Sequence, residues 1–234
     1  MNLLIRNVFP PLRDIIYPQV CFLCNTPLRN GEAKVCATCW KSFTQIDSVP
    51  PAETKHKNEL QAAGYIHDLL SCYLFEQGGK LQDVVHLLKY QAMTSLGVRL
   101  GRDIGIKILG NERFSRADYL IPVPLHKAKL RERGYNQSEL ICKGISEVTK
   151  IPIATDCIRR TRHTQTQTHL SLEERKQNVS GAFMVVTKHQ NLLNGITVIL
   201  VDDVITTGST INECAKIILG GGVERVFAAS AAIV

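Results

Sequence analysis

From Val198 to Val201 four apolar positions follow one another without a polar interruption, the pattern of a strand buried on both faces. Asp202 and Asp203 end that run, and Thr206, Thr207, Gly208, Ser209 and Thr210 form a polar turn. Ile211, Cys214, Ala215, Ile218 and Leu219 then recur at helical spacing until Gly220, Gly221 and Gly222 close the stripe. The stretch therefore predicts strand, loop and helix N-terminus. The same period at Leu81, Val84, Val85 and Leu88 predicts a helix ending near Lys89 and Tyr90, followed by a second over 94–109. A third is read from Leu140, Ile141, Gly144 and Ile145. Tyr119 to Val123, a run ending at Val186, and Val226 to Val234 read as strands. Residues 62–75 read as two strands around a polar turn at His67–Asp68. The polar segment 44–61, with Pro50 and Pro51, reads as a linker and places a boundary between residues 1–50 and 60–234. Residues 159–183 show little apolar periodicity before Leu170 and are expected to be mobile without ligand.

Composition narrows the class. With 234 residues, 44% of them hydrophobic, the chain can bury one good core and a small appendage, and 21% charged residues argue against disorder. A net charge of +7 suits acidic partners, polyphosphate or nucleic acid, without choosing between them. No apolar run reaches membrane-spanning length. The N-terminus, interrupted by Arg6, Pro10, Pro11, Arg13 and Asp14, lacks a secretory core and cleavage site. A cytoplasmic protein without membrane insertion is expected, its first residues a short amphipathic helix packed on the body.

Four cysteines make C-x2-C-x11-C-x2-C at Cys21, Cys24, Cys36 and Cys39. Two such knuckles a short loop apart suit tetrahedral zinc, because each closes a turn that aims two thiolates at one ion. An iron–sulfur cluster is the alternative, less typical of this spacing. Four thiolates leave no open position, so the metal is expected to be structural. Cys72, Cys142, Cys157 and Cys214 lie among apolar residues and are expected as core thiols.

The turn after Asp203 has the chemistry of an anion site. A helix N-terminus offers free N–H groups and a partial positive charge, Gly208 allows close approach, and Thr and Ser hydroxyls can donate to a phosphate. Ionised Asp202 and Asp203 only accept, which suits sugar hydroxyls. A phosphate beside vicinal hydroxyls, as in ribose 5-phosphate, fits both halves; the bland alternative is a solvated acid pair before an N-capped helix. Neither G-x-x-x-x-G-K-[ST] nor a strand-linked G-x-G-x-x-G occurs. A second basic segment, His126, Lys127, Lys129, Arg131 and Arg133, leads into Gly134, Asn136 and Gln137. It reads as a second anion site or as a solvated loop.

The run of apolar strand, two acids, two residues and T-T-G-S-T resembles the signature of type I phosphoribosyltransferases, which bind phosphoribosyl pyrophosphate (PRPP). Across nearly the whole chain the sequence resembles the ComF family, competence-associated phosphoribosyltransferase-like proteins of the GntX type. That likeness rests on the paired knuckles, on Leu88–Lys89–Tyr90, and on Pro122–Val123–Pro124 with Arg131, Arg133, Gly134, Asn136 and Gln137. It continues through Arg160, Gln167, Leu170, Arg175, Asn178, Ala182 and Phe183 to the loop from Asp202 to Thr210. The resemblance implies an α/β chain: a type I phosphoribosyltransferase fold, a parallel sheet flanked by helices, with a small N-terminal zinc-binding module. It implies a PRPP site at Asp202, Asp203, Thr206, Thr207, Gly208, Ser209 and Thr210, magnesium bound with PRPP, and a part in DNA uptake. Arg131 and Arg133 are the candidates to hold the leaving pyrophosphate. Thr206 stands where purine-salvage members of the superfamily carry an acid, which disfavours that chemistry.

Two functions compete. One is transfer of phosphoribose from PRPP to an unnamed acceptor. The other is a non-catalytic protein that keeps PRPP as anchor or sensor and binds single-stranded DNA, with other DNA-uptake proteins as partners; a scaffold with neither activity is weaker. Against the first, no segment forms an evident base pocket; against the second, aromatics are scarce. Trp40 and Phe43 with Lys34 and Lys41 offer one small stacking platform, unless Trp40 packs against the knuckle.

Overall fold

The computed structural model describes residues 19–161, 181–186 and 193–234. The helix expected at the N-terminus, Gln167, Leu170, Arg175 and Asn178, and most of the segment expected to be mobile lie outside the described residues.

The cysteine knuckles come first, with helix α1 (Ala37–Lys41) opening on the second of them, and a 3-10 turn at Ile46–Ser48 follows. Helix α2 (Pro50–Ala62), strand β1 (Asp68–Leu74), helix α3 (Lys80–Tyr90), helix α4 (Thr94–Leu109) and the short α5 (Glu112–Ser115) come next. After them run β2 (Tyr119–Pro122), α6 (Lys127–Arg133), α7 (Gln137–Thr149), β3 (Ile158–Arg160), β4 (Phe183–Val185), β5 (Thr197–Ile205), α8 (Ser209–Gly220) and β6 (Arg225–Ile233). The main sheet has the order β1-β6-β5-β2, and every neighbouring pair is parallel. The small β3-β4 pair is antiparallel.

Both faces of this sheet are covered, which is why β5 reads as an unbroken apolar run. Ile199 and Val201 face α3, α4 and α7, while Val198 and Leu200 face α2 and α8, as a two-residue repeat requires. β6 is rich in alanine between these layers, and its Ala228, Ala229, Ala231 and Ala232 are all buried.

Three readings of the sequence need correction. The supposed linker is helical: Pro50 and Pro51 occupy the first helical positions, where no N–H is needed, and good helix formers follow. Among its described side chains only His56 and Leu60 are buried, with Ala52 half-buried beside them, a stripe too thin to show as periodicity. Residues 62–75 hold not two strands but the end of α2, a turn at Gly64 and β1 alone. β1 pairs with β6, from the far end of the chain, so no local hairpin forms. Finally, β5 does not stop at the acid pair but runs through it to Ile205, hydrogen-bonded against β6.

Helices α4 and α7 meet backbone to backbone. A Cβ on Gly101 would lie 2.0 Å from the Ile141 carbonyl oxygen, and one on Gly144 would lie 2.0 Å from that of Val98. Gly97 and Gly105 continue the same face at four-residue spacing, against Leu140 and Val148. This contact brings the start of α7 beside the end of β5, where the acid pair lies.

The cysteine module shares the core of the sheet's α4 face. Cys21, Cys36, Cys39, Trp40 and Phe43 are buried in one cluster with Leu70, Tyr73, Leu96 and Leu100. Trp40 Nε1 donates to Asp103 Oδ2 at 2.7 Å, Tyr73 Oη donates to the same oxygen at 2.7 Å, and the Arg99 guanidinium lies 3.9 Å from the Trp40 ring centre. Trp40 and Phe43 are therefore core residues and cannot form a stacking platform for bases. The segment after the module also covers the free edge of β1, where Leu74 N–H donates to the Thr44 carbonyl at 3.0 Å.

The four sulfur atoms of Cys21, Cys24, Cys36 and Cys39 lie within 4.8 Å of one another. Cys24 Sγ and Cys36 Sγ are 3.8 Å apart. Two corners of a tetrahedron with zinc–sulfur bonds of about 2.3 Å are separated by about 3.8 Å, so the cage fits zinc closely.

Two predictions follow from this packing. Gly144→Ala should destabilise the chain by about 1–3 kcal/mol in urea unfolding, although alanine alone favours a helix by about 1 kcal/mol. Gly220→Ala, with open space around its Cβ, should be neutral or stabilising; equal effects would refute the close-contact account. Elemental analysis should find one zinc per chain, and its removal should lower a single melting transition of the whole chain because module and sheet share a core. A second transition unmoved by chelation would show that the module stands apart.

Candidate functional site

The carboxyl end of a parallel sheet is where βα loops leave room for a ligand. Here the loop from β5 to α8 supplies it. Gly208 has φ +69°, a left-handed conformation that turns the chain into α8. Its N-cap position carries no side-chain hydrogen bond, so the first N–H groups of a twelve-residue helix face the loop. Thr207 Oγ1 and Ser209 Oγ lie 2.9 Å apart, and Ser209 N–H reaches Thr207 Oγ1 at 3.4 Å. Asp202 and Thr206 through Thr210 line one small cleft. Leu60 of α2 packs on the outside of this turn: a Cβ on Gly208 would fall 2.2 Å from Leu60 Cδ2.

The two acids are differently placed. Asp202 Oδ1 accepts from Ser138 Oγ at 3.1 Å and from Asp203 N–H at 2.9 Å. Burial, and then the charge of Asp203, push its carboxyl up to about 7. Asp203 is almost wholly buried, and Lys89 Nζ lies 2.5 Å from its Oδ2. Burial alone would raise this carboxyl too, but the Lys89 ammonium outweighs that and holds it below the ordinary value. For Lys89 the balance has the same form: burial favours the neutral amine, the Asp203 charge opposes it more strongly, and the ammonium is stabilised.

Beyond Lys89 opens a cavity of about 470 Å³ lined by Lys89, Tyr90, Lys129, Arg133 and Tyr135 among others. The segment expected as a basic loop is helix α6, capped by His126 Nδ1, which accepts from Ala128 N–H at 3.2 Å. Gly134 ends it in a left-handed turn, φ +82°, and Asn136 then caps α7 while its amide donates to the Val123 carbonyl at 3.0 Å. Asn136 thus holds the connection rather than facing the cavity. Of the two arginines expected to face an anion, Arg133 lines the cavity, where its guanidinium lies 5.7 Å from the Tyr90 ring centre and donates to Gln137 Oε1. Arg131 is not among the cavity's described lining, and Lys129 takes that place. Burial, then the charges of Arg160 and Arg133, lower the Lys129 pKa, marking a crowded positive field.

Sequence reasoning gave no chemical role to Lys89, Ser138 or Leu60, and gave Lys129 only a share in the basic segment read as a second anion site or a solvated loop. Lys89 did stand inside the Leu88–Lys89–Tyr90 stretch, but as a basic residue at a helix end it looks like ordinary capping. Ser138 and Leu60 reach the site only through helix packing, which leaves no local signal.

A double zinc ribbon domain matches residues 12–51 and a phosphoribosyl transferase domain matches residues 139–232. The DNA utilization protein YhgH of Shigella flexneri is 30% identical over 221 residues, covering 89% of this chain and 94% of that protein. Competence protein F of Haemophilus influenzae is 42% identical over 108 residues, 46% of each chain. Competence protein ComFC of Bacillus subtilis is 21% identical over 207 residues, 87% of this chain and 79% of that one. The paired knuckles hold a structural zinc module, the all-parallel sheet carries a phosphoribosyltransferase domain, and with a near full-length relative at this identity the chain belongs to the ComF family.

Proposed function

We propose that this protein binds PRPP at the end of β5, transfers its phosphoribosyl group, and serves the handling of incoming DNA. The single observation that carries the ligand reading is the juxtaposition at one sheet end. A polar loop at a helix N-terminus, a carboxylate pair and a cavity lined by Lys129 and Arg133 follow one another, an order that suits the 5-phosphate, ribose and pyrophosphate of PRPP. Thr206 to Thr210 would take the 5-phosphate, Asp202 and Asp203 the ribose hydroxyls, and Lys129 with Arg133 the pyrophosphate; Arg131, next on α6, would add to the field. The DNA role is carried over from the names of the relatives.

The reaction class is displacement at the anomeric carbon with pyrophosphate leaving. Positive charge develops on the sugar beside two carboxylates, and negative charge on the leaving group beside two cations. The chain would thus act by positioning and fixed electrostatics, and no general base is assigned. Magnesium suits the oxygen-rich ligand. It would take most of its ligands from PRPP itself, because Lys89 already neutralises Asp203 and Asp202 alone of the pair reaches the loop cleft. When bound, the ion would offset charge on the leaving pyrophosphate.

Calorimetric titration with PRPP and magnesium tests this reading. Asp202→Asn should weaken PRPP by about 1.5–3 kcal/mol, roughly tenfold to a hundredfold, through loss of one charge-assisted hydrogen bond. Inorganic phosphate should bind that variant no worse. Gly208→Val should weaken both, by crowding Leu60 and the loop together. Wild-type affinity for PRPP in a folded Asp202→Asn chain would remove the ribose role. In a transformable host, the same variant should lower uptake of donor DNA into the genome.

A second prediction concerns pH. Asp202 titrates near 7 in the folded chain against 3.8 as the ordinary value, so the folded state holds this proton more tightly than the unfolded. Its contribution to stability is full below about pH 4 and is lost as pH rises through about 7. Asp203 acts oppositely, stabilising above the ordinary value and losing that effect as pH falls through its lowered one. Thermal melts from pH 5 to 8 should therefore show a decline in ligand-free wild type that Asp202→Asn flattens. An identical decline in both chains would assign it elsewhere.

A further inference from the structure

Lys89 stands at the junction of the two halves of the site just described, and the inference here rests on that PRPP reading. Its Nζ is 2.5 Å from Asp203 Oδ2, while the same side chain lines the cavity that holds Lys129 and Arg133. The Asp203 side chain is only 6% exposed, against 25% for Lys89. The carboxylate is thus the more closed-in partner, and of the two side chains it is that of Lys89 that lines the cavity. With the ammonium in place, Asp203 already has its ionic partner and offers a sugar hydroxyl little.

An ammonium carries three donors on a flexible stem, so it can turn between neighbouring acceptors. An anion in the cavity competes with Asp203 for it. If the anion alone wins, Asp203 is left charged, buried and unpaired, which is costly. If a ribose arrives alone, a neutral hydroxyl has to displace a cation. When both arrive, the ammonium turns to the anion and the hydroxyl donates to the freed carboxylate, so each event removes the other's penalty.

We propose that Lys89 is a switchable counter-ion: it masks Asp203 in the free protein and moves to the pyrophosphate on binding, which makes the two halves of the site cooperative. The device selects a ligand bearing ribose and pyrophosphate together over either piece alone.

The test is a coupling measurement on the full chain by calorimetry at constant magnesium. The probes are inorganic pyrophosphate and ribose 5-phosphate, each titrated alone and with the other saturating. Coupling is reciprocal, so each should tighten the other by the same factor, about fivefold or more. Lys89→Met should reduce that factor to one or less, since only repulsion between the two anions remains. As Lys89→Met leaves a buried charge and could impair folding, Lys89→Met with Asp203→Asn serves as the neutral second variant and should also lack coupling. Independent or opposed binding in the wild type overturns the proposal without need of a variant, and so does coupling that survives in Lys89→Met. If neither probe binds the folded wild type, the PRPP reading fails and takes this inference with it, whereas binding without coupling refutes the counter-ion alone.

Discussion

Two adjacent carboxylates cannot both stay charged in a buried position without a cation to offset them. β5 carries its acids inside the sheet, paired with β6, so the problem is built into the backbone. The chain resolves it asymmetrically. Lys89 compensates Asp203, while Asp202 depends on the Ser138 hydroxyl and a backbone N–H and is pushed toward neutrality. One acid is thereby fixed as an anion, and the other stands near its titration point beside the loop.

The helical layer exists in a form that permits this. Lys89 ends α3 and Ser138 opens α7, and both must reach the end of β5 from the same side of the sheet. The glycine contact between α4 and α7 lets that layer lie close, since side chains at Gly101 and Gly144 would push the helices apart. Asn136, bonded to the end of the β2 strand region at Val123, then fixes where α7 begins. On the opposite side α2 presses Leu60 against the Gly208 turn, so the phosphate loop is held from outside the sheet as well. The cysteine module contributes at a distance: it completes the core behind α4 and shields the edge strand β1.

Much of this was legible in the residues. The buried run, the acid pair and the T-T-G-S-T turn each have a local cause, in side-chain apolarity, in carboxylate chemistry and in the conformational freedom of Gly208. The same is true of the knuckles, where spacing alone sets the reach of four thiolates, and of α3, α4, α7 and α8, whose apolar stripes follow the 3.6-residue period. What failed locally did so for two reasons. Helix α2 buries a stripe too narrow to register, and the strand count near residue 68 depended on a partner from the far end of the chain.

The sequence by itself determined that an anion loop follows a buried strand, that a metal cage precedes it, and that helices and strands alternate between. These are short-range facts, written in spacing and residue type. The tertiary structure decided which charges meet: that Lys89 lies on Asp203, that Ser138 lies on Asp202, that Arg133 and Lys129 rather than Arg131 line the cavity, and that Trp40 is buried on Asp103. Electrostatic energy falls with distance in space and is indifferent to distance along the chain. Only the packing of the helices on the sheet turns two acids and a scattered set of cations into a site.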